Sequence, residues 1–367
     1  MKLLIITQIV DRQDSNLGFF QPWLAQLAGR VEQLTVLCLK KGEYHLPANV
    51  RVLSLGKENS ARRWQYLKNF YRFIWQYRQE YDHVFVHMNP EYVILGGLIW
   101  RMWEKKVLLW YVHKAVNLRL RLATLLATKI FTASKESFRL PSGKVEIVGH
   151  GIDVSTYELR TSTNIPARLR LRANSLAGGR TTNILPVRLL WAGRISLVKD
   201  LETVILAFQE LMERHQDQEI WLDIVGDAIT VQDEEYRQTL LDLAVKLNIS
   251  HRVQFLGGVF HDKMPEVYAA HHALIHTSRT GSIDKVVLEA LASGLTVLTS
   301  SAAYDKFGDL VLHFPPNKAK ELAWMIERRL LSGVPEVNYA GREYVAREHN
   351  LNTVVEKMVN YFVMRNE

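Results

Sequence analysis

Leu189-Leu-Trp-Ala-Gly-Arg-Ile-Ser-Leu-Val-Lys-Asp-Leu-Glu202 and Asp284-Lys-Val-Val-Leu-Glu-Ala-Leu-Ala-Ser-Gly294 are the two stretches on which the reading of this 367-residue chain turns. The first is an apolar strand running into a Gly193-Arg194 turn, with Lys199 five residues on, where a helix begins. The second is a helix that starts after Thr280-Gly281-Ser282 and carries Glu289 one turn in. A guanidinium, an ammonium and a helix N-terminus brought together make a site for a diphosphate. Arg offers a bidentate fork, Lys a point charge, and the first-turn N–H groups lack intrahelical partners. The combination points to an enzyme acting on an activated, phosphate-linked substrate. Taken alone, Arg194 and Lys199 also fit an ordinary solvated loop. Either Ser282 or Asp284 suits the helix N-cap. Glu289 is suited to accept hydrogen bonds from a ribose diol. Its neighbours Val286, Val287, Leu288, Ala290 and Leu291 argue against a solvent-facing carboxylate.

Outward from these stretches, apolar β-branched runs alternate with helical patterns. Strands are expected at Leu3–Ile6, Gln33–Cys38, Val50–Ser54, His83–His87, Lys106–Val112, Ile130–Thr132 and Val145–Val148. A second series is expected at Val187–Trp191, Ile220–Val225, Val253–Leu256, Ala273–His276, Thr296–Ser300 and Val311–Phe314. Helices fit between them, among them Phe20–Leu27, Ala61–Arg78, Asp200–Arg214, Asp233–Leu247, Lys285–Ser293 and Ala319–Leu331. Near-continuous apolar strands alternating with helices predict an α/β fold of two doubly wound parallel sheets. Ligands of such sheets bind beyond the carboxyl ends of the strands, here expected between the two domains. Around 160–186 the texture turns to Thr, Ser, Asn and Gly and reads as a linker.

Hydrophobic residues make up 48% of the chain, ample for two cores. Cys38 is the single cysteine, which excludes an internal disulfide and a cysteine-built zinc cage and fits a reducing cytosol. The apolar run at Met1–Val10 is short and ends in Asp11, Arg12 and Asp14, so it reads as a buried strand rather than a signal peptide. No run reaches the roughly 18 apolar residues that span a bilayer. A cytoplasmic protein is expected. The net charge of +8 is uneven: residues 1–150 hold 22 Lys and Arg against 11 Asp and Glu, and the remainder is slightly acidic. An anionic surface is therefore an expected partner of the first half. In Ala61–Arg78, Trp64, Leu67, Tyr71 and Trp75 share a helical stripe flanked by Arg62, Lys68, Arg72 and Arg78. Such a helix either lies on anionic lipid or packs in the core with its cations solvated. No nucleic-acid-binding module is present, and no Gly-x-x-x-x-Gly-Lys-Ser/Thr loop that would make an ATPase. His271, His272 and His276 lie at or in a strand, where their spacing does not converge on a metal; none is expected.

Gly193-Arg194…Lys199-Asp200, Val253-Gln-Phe-Leu-Gly-Gly-Val259 and Val286-Val-Leu-Glu289-Ala-Leu-Ala-x-Gly294 together resemble the retaining GT-B glycosyltransferases of family 4. His150-Gly151-Ile152-Asp153 resembles the Asn-Gly-Ile-Asp turn that closes that family's first domain. The resemblance covers nearly the whole chain. It implies two Rossmann-like domains facing each other across a cleft: an acceptor-binding one over 1–165, a linker or insert over 166–186, and a nucleotide-sugar-binding one over 187–345. A C-terminal helix over 346–367 would pack back toward the first domain. By the same resemblance Arg194 and Lys199 hold the donor diphosphate, Glu289 holds the ribose, and backbone at Gly258 and Val259 meets the base. His113 would contact the donor sugar. The implied reaction moves a sugar from a nucleotide diphosphate-sugar to a hydroxyl of a glycan or lipid-linked acceptor, with retention, without metal, and with no cofactor besides the substrate. Bacterial saccharide synthesis on the inner face of the membrane is the implied setting.

The sequence also departs from the family pattern. The Glu that usually stands eight residues before the ribose Glu is Gly281 here, followed by Ser282-Ile-Asp284 in place of Gly-Phe-Gly. Either Asp284 replaces that carboxylate or the backbone N–H groups of 281–285 hold the sugar. Lys285 is either a third cation for the phosphates or a solvated one. The family's Gly-rich loop after the first strand is reduced to Gly18 in Asp14-Ser-Asn16-Leu-Gly18, so a stiffer acceptor-side loop is expected. These departures leave a second reading, a non-catalytic GT-B nucleotide-sugar-binding or scaffold protein at the membrane.

Overall fold

A computed structural model describes residues 1–14, 17–60, 62–159, 186–332 and 336–364. All but the last residue of the linker expected at 166–186, and also Asn16, lie outside the described residues. The chain divides into two compact units. One comprises Met1–Asp153, Phe260–Asp262 and Glu348–Glu367, the other Val154–Val259 and Lys263–Arg347.

In the first unit β1 (Lys2–Val10), β2 (Gln33–Lys41), β3 (Val50–Ser54), β4 (His83–His87), β5 (Val107–Trp110), β6 (Lys129–Thr132) and β7 (Val145–Ile147) form one sheet, ordered β3-β2-β1-β4-β5-β6-β7. Every pairing is parallel. Side chains of β1 alternate between two cores, as a strand's period of two requires. Leu3 and Ile5 pack with Phe20 and Trp23 of α1 (Phe20–Ala28). Leu4 and Ile6 pack on the other face with Phe70 of α2 (Arg63–Gln76), Trp100 of α3 (Pro90–Met102) and Leu120 of α4 (Leu118–Leu126). Helices on both faces explain why these strands read as unbroken apolar runs. Helix starts follow local chemistry. Pro90 opens α3, where its missing N–H costs nothing, and the Asn117 side chain accepts from the Leu120 N–H at 2.9 Å ahead of α4.

The second unit repeats the plan. β8 (Val187–Ala192), β9 (Ile220–Val225), β10 (Val253–Gly257), β11 (Ala273–His276), β12 (Thr296–Thr299) and β13 (Leu312–His313) form a parallel sheet ordered β10-β9-β8-β11-β12-β13. Its helices are α5 (Leu201–Arg214), α6 (Val231–Lys246), α7 (Met264–Ala269), α8 (Lys285–Ala292), α9 (Ala319–Ile326) and α10 (Tyr339–Glu348). Strand order reverses between β8 and β11, which makes their carboxyl ends the switch point where ligands of this architecture bind. Two expected boundaries move. The helix expected from Asp200 starts at Leu201, because Asp200 sits at φ 49 in the left-handed region after a 3-10 turn at Leu197–Lys199. Its carboxylate accepts from the Thr203 hydroxyl at 3.0 Å, a local bond that helps Asp tolerate this conformation. The helix expected to run to Leu331 passes into a π turn at Glu327–Leu331.

The last helix, α11 (Leu351–Val363), belongs to the first unit. Val354, Val355, Met358 and Phe362 are buried in the same core as Trp23 and Leu27. Ile152 is the anchor: its N–H donates to the His349 carbonyl at 2.7 Å, and its carbonyl accepts from Leu351 at 3.0 Å. No helix among the described residues is long and apolar enough to cross a membrane.

Candidate active site

At the switch point of the second sheet the loops after β8 and β11 are stitched together. The Arg279 N–H donates to the Val198 carbonyl at 2.9 Å, and the Thr277 hydroxyl donates to the Lys199 carbonyl at 2.6 Å. Gly226, after β9, presses on the β8 turn so closely that a Cβ there would lie 1.7 Å from the Gly193 carbonyl oxygen. Only glycine fits, and the turn carrying Arg194 is thereby fixed. Lys199 Nζ lies 2.5 Å from Asp284 Oδ2 and 3.1 Å from Ser278 Oγ. The structure thus brings together a β8-loop cation and the start of α8, as the two sequence stretches require.

Asp284 stands at the N-cap position of α8, but its side chain makes no cap, and neither does that of Ser282, which bonds the Thr280 hydroxyl at 3.2 Å. The reason is electrostatic. The Asp284 carboxylate is drawn to Lys199 and to His276 Nε2, which is 3.0 Å away. Burial alone would raise its pKa. The His276 hydrogen bond and the Lys199 charge overcome that and hold the carboxyl well below the usual carboxylate range. Burial pulls the His276 pKa down against the opposing pull of Asp284; its Nε2–H donates to the Asp284 carboxylate, and its Nδ1 lies 3.0 Å from the Thr299 hydroxyl. The Asp284 N–H donates to the Tyr304 phenol at 2.7 Å. With no side-chain cap, the first turn of α8 keeps N–H groups for an anion.

One turn into α8, Glu289 is only 4% exposed and accepts from the Tyr268 phenol at 2.9 Å. The solvent-facing alternative is thereby removed. Lys285, at i−4 from Glu289, is partly exposed, yet burial pulls its ammonium down to about 7 against the opposing charge of Glu289. Gly281 has φ 65 and nothing within 4 Å of where a Cβ would stand, so the space where a side chain would project is open. Arg194 is exposed, and its charge helps hold down the pKa of Asp233 in the first turn of α6. The Gly258 N–H is already engaged by Asp227 Oδ1 at 2.6 Å, and Val259 beside it is half-buried. A base meeting this edge would therefore meet Asp227 as well as backbone.

Sequence reasoning missed Tyr268, Tyr304, Asp227 and Arg279, whose guanidinium lies 3.0 Å from Asp200 Oδ2. The only signal for Arg279 was a cation in the Thr280 loop; the others gave none. The three histidines take separate partners: His271 meets Asp223 at 2.8 Å, His272 accepts from the Arg188 N–H at 3.1 Å, and His276 serves Asp284. Among the described residues no group of three potential metal ligands converges.

In the first unit β5 ends at Trp110, so His113 lies on the following loop rather than at a strand end. It is exposed, and its Nδ1 accepts from the Ala115 N–H at 3.1 Å. The Gly18 N–H donates to the Asp14 carbonyl at 2.9 Å and the Leu17 N–H to the Asp14 carboxylate at 2.8 Å, a tight turn leading into α1. At this unit's own switch point Gln8 donates to Asn89 at 2.6 Å, beside Met88 at φ 65.

Residues 186–342 match the family described as Glycosyl transferases group 1. The group 1 match takes in the β8 turn, Lys199, α8 and Glu289. An uncharacterized glycosyltransferase of Methanocaldococcus jannaschii is 25% identical over 265 residues, 68% of this chain and 63% of that one. A D-inositol 3-phosphate glycosyltransferase of Nocardia farcinica is 29% identical over 157 residues, 43% of this chain and 32% of that one. The chain thus spans less than two thirds of these relatives. Among solved structures, Anabaena HepE in complex with UDP superposes with a TM-score of 0.75 at 17% identity, covering 98% of this chain and 99% of that one. At that identity the likeness speaks for fold alone, and the fold is GT-B: two α/β units, each a doubly wound parallel sheet.

Proposed function

We propose that this protein is a glycosyltransferase that moves a sugar from a nucleotide diphosphate-sugar to a hydroxyl acceptor. The observation that carries the reading is the meeting of Lys199 with the uncapped start of α8, one turn from the buried carboxylate of Glu289. Arg194, Lys199, Lys285 and the α8 amides offer positive charge to the departing β-phosphate, and they stabilise it more as its charge grows. Glu289, oriented by Tyr268, takes the ribose hydroxyls, and the edge at Gly258 and Val259 takes the base. Asp284 is held by Lys199 and His276, so it offers a fixed acceptor for a sugar hydroxyl where Gly281 has none. The reaction uses neither metal nor cofactor, because the side chains and amides named here supply the charge, and it retains anomeric configuration as the resemblance to family 4 implies. The first unit holds a glycan or lipid-linked acceptor, with the Gly18 turn on that side, and its His113 is assigned to the donor sugar. The group 1 match over residues 186–342 and the UDP bound by the Anabaena structure support a nucleotide diphosphate donor.

The test starts with the purified full chain and UDP-, GDP- and ADP-sugars in thermal-shift assays. Transfer to candidate acceptors follows, with the product anomer read by NMR. A stabilising donor, transfer and retained configuration are expected. An inverted product would refute the stereochemical reading. The open space at Gly281 favours one second reading, a nucleotide-sugar-binding scaffold without turnover. Saturable donor binding with neither transfer nor hydrolysis, across acceptors, would select it.

A further inference from the structure

The three helices α2, α3 and α4 cover one face of the first sheet, and their inner sides supply Phe70, Ile74, Val93, Trp100, Leu120 and Ala123 to its core. Their outer sides should then be polar. They are not. On α2, Trp64, Leu67, Tyr71 and Trp75 are all exposed, with both tryptophans near 60%. On α3, Leu98 is 62% and Met102 81% exposed; on α4, Leu118 is 70% and Leu125 66% exposed. The helices adjoin. The Tyr71 hydroxyl donates to the Leu95 carbonyl at 3.2 Å, the Trp75 and Trp103 rings lie 5.6 Å apart, and a Cβ on Gly97 of α3 would approach Leu126 of α4 to 2.9 Å. A groove of about 430 Å³ runs between α2 and α3, lined by Tyr71, Ile74, Trp75 and Ile99 together with the stems of Arg72 and Gln76.

Charge identifies the occupant. The three helices carry six cations, Arg63, Lys68, Arg72, Arg101, Arg119 and Arg121, against one acid. That acid, Glu91, is neutralised by Arg119 at 2.8 Å. A protein partner of ordinary composition would not need both a uniform positive field and scattered long apolar side chains. An anionic bilayer surface needs both, because apolar and aromatic groups enter the headgroup–acyl boundary while cations meet the phosphates.

We infer that the outer face of α2, α3 and α4 docks on an anionic lipid surface, with Trp64, Trp75, Leu98, Met102, Leu118 and Leu125 entering the interface. The inference stands apart from the proposed reaction, since its test uses no donor and no acceptor.

The full chain is sedimented with vesicles of phosphatidylcholine alone, or with phosphatidylglycerol added, at low and high salt. Binding to the anionic vesicles alone, weakened by salt, is expected. The double variants Trp64→Ser/Trp75→Ser and Lys68→Glu/Arg72→Glu should each lower the partition coefficient about tenfold or more. These side chains are exposed, and an unchanged melting temperature checks that each variant is folded. Trp64→Phe/Trp75→Phe should keep binding and lose the blue shift of tryptophan emission. Absence of binding, equal binding to neutral vesicles, or unchanged binding by both double variants would overturn the inference. Concentration-dependent dimerisation abolished by Trp64→Ser/Trp75→Ser, without vesicle binding, would assign the face to a second copy and overturn it too.

Discussion

Asp284 and Lys199 show how one contact sets the character of the site. The carboxylate neutralises part of the charge that a diphosphate needs, yet holds the ammonium in place. Removing the cation should cost catalysis and also some stability, because the largely buried Asp284 carboxylate loses a charge that offsets its burial. Lys199→Ala is expected to lower turnover roughly 10²–10³-fold, about 3–4 kcal/mol, in a transfer assay with purified donor. Lys285 has the opposite character, because its charge is conditional. In the folded chain its ammonium titrates near 7, below the ordinary lysine value, so it is a cation only below that pH. Nucleoside diphosphate affinity should fall as pH rises through about 7, and Lys285→Met should flatten that profile in calorimetric titrations. The sign for stability is the reverse of a stabilising ion pair. A depressed lysine pKa penalises folding below about 7, and the penalty fades as pH rises toward the unfolded value. Lys285→Met should therefore be more stable than wild type at pH 6, with the difference shrinking toward pH 10. Gly281→Glu should fold, because the space is open, at a cost of about 1–2 kcal/mol for a side chain in the left-handed region. It should also change the ranking of donor sugars in thermal shift.

Among the elements, α11 is the one whose loss has the clearest outcome. Met358 is fully buried among Trp23 and Leu27, and Met358→Ala should destabilise the first unit by about 2–5 kcal/mol in chemical denaturation. Element positions were largely legible because they follow from periodicity. Every expected strand is present, since strands buried on both faces leave unbroken apolar runs such as Leu189–Trp191. Helix α3 was not among the expected helices, because its exposed Leu98 and Met102 are as apolar as its buried side and leave no polar stripe to mark it. The site divided differently. Lys199, Glu289 and the start of α8 were legible because each lies on a short motif. The partners that orient them were not. His276 reaches Asp284 from a strand, Tyr268 reaches Glu289 from α7, and Asp227 reaches Gly258 from the β9 loop. Such contacts join separate segments and leave no spacing to read. The cap failed for the same reason: Asp284 suits an N-cap locally, and only the fold brings Lys199 to compete for it.

At the scale of the molecule, two sheets that share one strand order over six strands, the first with a seventh added, divide charge and chemistry. The proposed diphosphate site lies in the second unit and the excess of cations in residues 1–150. Nucleoside diphosphate at about a hundred times its Kd should stabilise the chain by about 2.7 kcal/mol. In hydrogen exchange, protection should concentrate at the β8 turn, the 277–284 loop and the first turn of α8. Protection confined to the first unit would contradict the assignment of the donor to the second.

Helix α11 also sets an order of events during synthesis. The first unit is begun by Met1–Asp153 but completed only by residues that follow the whole second unit, so its core around Trp23 stays open until Leu351–Val363 emerge. The second unit, all of it encoded before Glu348, is free to fold earlier. A frameshift or stop codon just before Leu351 would therefore injure the first unit, whose sheet lies wholly upstream of it.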